Sequence, residues 1–132
     1  MSERTRASAY WIVFGFLPGL AYQLIQDRLR PAGSTDAVTA YLLGIGPNAL
    51  GGVSLSASFI TVAWHRWGRR AITWAALAAL ACLWAWEGAQ TVLPNGTFDP
   101  HDIAWTVPGV LVAWAAARLF LPNRSEPDTR AL

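Results

Sequence analysis

The sequence predicts an all-α membrane protein, a compact bundle of four transmembrane helices, and three observations predict it. Of the 132 residues, 54% are hydrophobic and 14% charged, which is too apolar for an ordinary soluble domain of this size. Four apolar stretches, Ala7 to Ile25, Ala37 to Trp64, Ala71 to Leu93 and Ile103 to Leu121, contain no Lys or Arg before Arg118. Each reaches the roughly 17–25 residues a helix needs to cross about 30 Å of hydrocarbon. Period-2 alternation is absent, which argues against a closed barrel, the other architecture that satisfies every backbone group in lipid. The expected helices run about 7–25, 37–64, 71–93 and 100–121, as one membrane domain between tails at 1–6 and 122–132.

Charge placement sets the expected orientation. All ten basic residues are Arg. With the amino terminus on the cytoplasmic side, that side collects Arg4, Arg6, Arg66, Arg69, Arg70, Arg118, Arg124 and Arg130, against Arg28 and Arg30 opposite. Eight against two is a positive-inside bias that puts both termini in the cytoplasm and the Leu93 to Asp99 loop outside. A nucleic-acid partner is not expected, because no basic face interleaves with aromatics away from the membrane.

The first helix carries Tyr10 and Trp11 at one interface and Tyr22 and Gln23 at the other. Arg4 and Arg6 before an apolar run imitate the start of a signal peptide, but Gly19-Leu20-Ala21 makes a poor cleavage site, so an uncleaved helix is expected. Gly15 and Gly19 form a small-residue pair suited to close approach by another helix, or reflect only the frequency of glycine in membrane helices. Turn chemistry at Pro31, Gly33, Ser34 and Thr35 then connects to the second helix.

That second helix places Gly44, Asn48, Gly52 and Ser56 every fourth residue, a small or polar stripe that should face protein. Pro47 predicts a kink or local break near Asn48, whose amide wants a partner at membrane depth. Trp64-His65-Arg66-Trp67-Gly68-Arg69-Arg70 is a tight turn whose aromatic and Arg anchors suit an interface; the same cations are able to meet anionic headgroups. Cys82, alone in the third helix, reads as a buried filler thiol.

Glu87 lies about six residues before the expected helix end at Pro94, or roughly 9 Å below it. A carboxyl there is costly unless paired, protonated or wetted, and Gln90 shares its face one turn on. After the turn Pro94 to Thr97, the run Phe98-Asp99-Pro100-His101-Asp102-Ile103 reads as a helix start. Asp99 is the N-cap, Pro100 takes N1, Asp102 takes N3, and Phe98 with Ile103 forms a staple. Thr106 lies one turn further, so Glu87, Gln90, Asp102 and Thr106 are expected to converge between the third and fourth helices. Pro108-Gly109 should loosen the fourth helix, and 122–132 reads as a disordered polar tail.

Glu87-x-x-Gln90, Pro94, Asp99-x-x-Asp102-Ile103 and Gly109, at these spacings across a helix–loop–helix, resemble the signature of the VanZ-like family of small bacterial membrane proteins, named for a protein associated with teicoplanin resistance. The likeness covers about twenty-three residues. Two positions depart from the family pattern: Gly96 stands where the family usually carries Arg, and Thr106 where it usually carries Asn. The missing Arg removes a partner for the carboxylates or a contact for an anionic ligand.

The resemblance and the polar cluster together imply a non-enzymatic envelope protein. Its site residues are Glu87, Gln90, Asp99, Asp102, Thr106 and Asn48, with no catalytic residue, metal or cofactor expected. Beyond the bilayer, the expected partners are a small envelope ligand or glycopeptide, a partner membrane protein, or further copies of the chain. Alternatives are a structural clasp between helices, a small proton-coupled transporter, and an enzyme or metal site on Asp99, His101 and Asp102. Capping already accounts for the aspartates, which weakens the last of these.

Overall fold

A computed structural model describes residues 1–30, 33, 36–93 and 99–123. The described residues form four helices: α1 (Glu3–Leu29), α2 (Ala37–Trp67), α3 (Arg69–Gln90) and α4 (Pro100–Phe120). All four are long and apolar enough to cross a membrane, and no strand occurs among the described residues. The expected turn at 94–97, the Phe98 half of the staple and the tail beyond Asn123 lie outside the described residues.

α1 starts earlier and ends later than its apolar run. Ser2 Oγ accepts the Thr5 N–H at 3.2 Å, so residues assigned to a tail form the first turn instead. The helix passes through two π-helical stretches, Trp11–Phe16 and Ile25–Leu29. In α geometry residues five apart diverge by about 140°, whereas π geometry nearly stacks them. The first π stretch thereby brings Gly15 to the side of Tyr10, and both are buried. Pro18 lies just after this stretch, inside the continuous helix.

α2 is capped by Asp36, whose carboxylate accepts the Thr39 N–H at 2.8 Å. It remains one helix of 31 residues through Pro47, so the expected break near Asn48 does not occur. The proline removes a single ladder bond, and its ring is fully buried against protein. Gly68 ends the helix at φ +72°, a left-handed value that suits glycine, with its N–H on the Trp64 carbonyl at 2.9 Å. One 3₁₀ turn, Arg69–Ala71, then opens α3.

α3 stops at Gln90, short of the expected end at residue 93. Thr91 and Val92 bond three residues back, at 3.2 and 3.1 Å, and Thr91 Oγ1 takes the Gly88 carbonyl at 2.7 Å. These bonds tighten the last turn and compete with the α ladder. α4 begins as the sequence predicts, with Asp99 Oδ1 accepting the His101 N–H at 2.8 Å. It continues unbroken past Pro108 to Phe120.

α2 lies at the centre and packs on all three other helices, most extensively on α4. The core is rich in alanine, with Ala57, Ala76, Ala113 and Ala117 buried around Tyr10, Ile60, Trp64 and Ile72. Lipid tails are as apolar as leucine, so association inside a membrane relies on close packing of small side chains. Large apolar side chains instead cover the outside, among them Leu20, Leu42, Val62, Trp74 and Leu119. Cys82 is exposed on this outer surface and does not fill the core.

Candidate functional site

Helix polarity distributes the charged residues unequally between the two ends of the bundle. The start of α1, the α2–α3 turn and the end of α4 bring Arg4, Arg6, Arg66, Arg69, Arg70 and Arg118 to one end, with Glu3 their only acidic companion among the described residues. The opposite end holds Asp27, Asp36, Glu87, Asp99 and Asp102 with Arg28 and Arg30. The polar cluster predicted from the sequence belongs to that acidic end.

Its centre is a hydrogen bond between helices. Asn48 Nδ2 of α2 donates to Asp102 Oδ1 of α4 at 2.5 Å. Asp102 occupies N3, from which a carboxylate often reaches back to the cap; here it reaches across to α2. One turn along α2 from Asn48, Gly52 is buried beneath the α4 backbone. A Cβ at Gly52 would lie 2.8 Å from the Thr106 carbonyl oxygen and 3.4 Å from Gly109 Cα. A Cβ at Gly109 would in turn run into the Ala49 carbonyl. The two glycines let the helices approach closely enough for Asn48 to span to Asp102.

The predicted stripe on α2 is therefore protein-facing over most of its length: Gly52 and Ser56 are buried and Asn48 half-buried, whereas a Cβ at Gly44 would meet nothing within 4 Å. Gly19 serves a comparable approach on the other side, whereas a Cβ at Gly15 would meet Trp11 of its own helix. Ser54 Oγ donates to the Gly15 carbonyl at 2.7 Å and lies 2.7 Å from where a Gly19 Cβ would be.

Glu87 is only 8% exposed, and its Oε2 is buried without a hydrogen-bond partner. Because α3 ends at Gln90, Glu87 lies three residues, about 4.5 Å, from the helix end rather than the roughly 9 Å predicted. Gln90 is the polar side chain that meets it one turn on, and the Asp102 and Asp99 carboxylates are near enough to act on it electrostatically.

Thr106 is buried as expected, but its hydroxyl donates to the Asp102 backbone carbonyl at 2.7 Å, so it is turned onto its own helix. Asp99 is engaged with its cap: Oδ1 accepts the His101 N–H and meets the His101 ring Nδ1 at 2.9 Å. The backbone N–H first, and then the ring, hold this carboxyl below the usual carboxylate range. The set thus divides, with Asn48 and Asp102 fastening α2 to α4, Thr106 bonded back to its own helix, Asp99 capping, and Glu87 with Gln90 carrying the open valence. Among the described residues, no group of three or more His, Cys, Asp and Glu side chains is arranged to hold a metal ion.

Sequence reasoning missed Arg30. At the end of α1, this guanidinium donates from Nη1 to the Gln26 amide oxygen at 2.8 Å and lies near enough to bear on Asp102. It provides a cation to an acidic end in which position 96 is Gly. Its isolation with Arg28, apart from the other arginines, was the one signal available. No protein-family model, curated protein or solved structure matches this chain.

Proposed function

We propose that this is a non-enzymatic integral protein of the bacterial cytoplasmic membrane, of the VanZ-like kind, whose Glu87 carboxyl receives an amine or hydroxyl group of a small envelope ligand. Lipid-linked cell-wall components and glycopeptides both carry such groups. The observation that carries the reading is the buried, unpartnered Oε2 of Glu87 three residues from a helix end. Burying a carboxylate oxygen without a partner costs the full desolvation of that atom, and a donor from outside the chain removes the cost. Acidic neighbours at this end favour a cationic donor over an anionic one. The positive-inside bias of the arginines supports cytoplasmic termini and an outward-facing cluster.

The test is thermal unfolding of the detergent-solubilised protein with and without a glycopeptide such as teicoplanin, for the wild type and Glu87→Gln. Anything that binds only the folded state raises Tm. A shift in the wild type that disappears in Glu87→Gln supports binding through this carboxyl, and an equal shift in both removes it.

A second reading, the structural clasp, is favoured by the Asn48–Asp102 hydrogen bond. It assigns the whole cluster to helix packing. It requires Glu87→Gln to melt with the wild type, Glu87→Leu to fail to fold, and no envelope ligand to move Tm.

A further inference from the structure

The opposite end of the bundle has a cleft of about 440 Å³ between the α2–α3 turn and the end of α4, lined by Arg69, Arg70, Arg118 and Asn123. Arg69 is held in place by neutral groups only. Its Nη2 donates to the Arg118 carbonyl at 2.6 Å and its Nη1 to Asn123 Oδ1 at 3.2 Å, while its Nε–H is shielded from solvent and has no acceptor. Among the described residues, none of the three guanidiniums forms an ion pair.

The surrounding structure fixes this arrangement. Trp64, fully buried, donates its indole N–H to the Pro122 carbonyl at 3.1 Å, which places Asn123 against Arg69. Trp114, itself tied to Thr73 by an indole N–H bond of 3.1 Å, lies under the Arg118 guanidinium at 6.0 Å. The described residues thus bring three permanent cations to one cleft, orient two of them, and pair none of them with a counterion.

We propose that this cleft binds a phosphate-bearing anion, supplied by the headgroup of an anionic phospholipid. Guanidinium forks match phosphate oxygens in geometry and charge, and Arg loses less hydration on binding than Lys would. The lipid source follows from position, since the cleft sits where three spanning helices end and where anionic headgroups concentrate around juxtamembrane cations. Arg66, at the same end of the bundle but not among the residues lining the cleft, provides an internal control.

The experiment measures lipid retention by native mass spectrometry, together with Tm, on the detergent-solubilised full chain. Titrants are a short-chain phosphatidylglycerol, the matching phosphatidylcholine, and inorganic phosphate. Wild type should retain phosphatidylglycerol in preference to phosphatidylcholine. Arg70→Gln and Arg118→Gln should each weaken that retention about tenfold or more, as expected for loss of a charged hydrogen bond. Arg66→Gln should leave it unchanged. Both cleft arginines are exposed, so these variants are expected to fold, and far-ultraviolet circular dichroism verifies that they do. If inorganic phosphate gives the same arginine-dependent Tm shift at the same concentration, the phosphate chemistry stands and its source is the free ion. Equal retention of the two lipids with no response to phosphate, or equal losses in Arg66→Gln and the cleft variants, overturns the proposal.

Discussion

Asn48 of α2 hydrogen-bonds Asp102 of α4 across the most extensive helix contact in the bundle, one turn along α2 from the Gly52–Gly109 crossing. Removing one partner leaves the other with a half-buried valence to fill. Asn48→Ala is expected to destabilise the protein by about 1–2 kcal/mol, the upper part of the range for interhelical bonds in membranes. A double-mutant cycle with Asp102→Ala, read by unfolding in detergent, checks it. A coupling energy indistinguishable from zero would mean that the bond does not hold the helices together.

The crossing itself makes a graded prediction. At Gly109 an added Cβ meets backbone, the Ala49 carbonyl and the Val53 nitrogen, and backbone cannot yield as a side-chain tip can. At Gly52 the obstacle is again backbone, at 2.8 Å from the Thr106 oxygen. Gly44 faces open space. Gly109→Ala and Gly52→Ala should therefore cost about 1–3 kcal/mol as the helices are pushed apart. Gly44→Ala should be neutral or gain up to about 1 kcal/mol from helix propensity. Thermal melting of the three variants side by side reads the order, and a destabilised Gly44→Ala would contradict it.

Sequence revealed those features that depend on local chemistry or on run length. Four apolar runs gave four helices, and Asp99-Pro100 gave a helix start to the residue, because a cap is decided within a single turn. Asn48 and Asp102 were each identifiable as polar groups needing partners, but their pairing depends on how α2 and α4 cross, which neither helix encodes alone. The outward position of Cys82 was hidden for a related reason. From Ala75 to Trp86, α3 is apolar around its whole circumference, so no polar face fixes the rotation of that stretch. The π turns of α1 and the role of Ser54 against Gly15 leave no trace in hydrophobic periodicity. Arg69 could be read as an interfacial anchor, but its neutral partners on α4 and just beyond its end are 49 and 54 residues away.

Tyr10 tests whether α1 is an integral member of the bundle. Its ring is 1% exposed, and its hydroxyl donates to the Ala113 carbonyl of α4 at 2.8 Å. Tyr10→Phe keeps the ring and removes the bond, for an expected loss of about 0.5–1.5 kcal/mol. Tyr10→Ala also opens a cavity among Ala7, Phe14 and α4, with an expected loss of about 3–5 kcal/mol. The ratio of the two losses, measured by unfolding, separates the packing contribution from the hydrogen bond. Equal losses would mean that the ring adds nothing beyond its hydroxyl.

Asp99 gives a pH dependence whose direction follows from its cap. The His101 backbone N–H, reinforced by the His101 ring, lowers the carboxyl's folded-state pKa below its unfolded value. The cap's contribution is therefore fully present above the unfolded pKa, near 4, and is lost as pH falls through the lower folded value. Asp99→Asn retains a capping oxygen that does not titrate in this range, and asparagine caps about as well as aspartate. The difference in Tm between wild type and Asp99→Asn should accordingly stay constant from pH 7 to about pH 5 and then shift against the wild type below about pH 4. Taking the difference cancels the titration of carboxylates remote from Asp99, though not that of Glu87 and Asp102, on which its charge acts. A difference that remains flat down to pH 2 would show that the Asp99 charge contributes nothing to holding the start of α4.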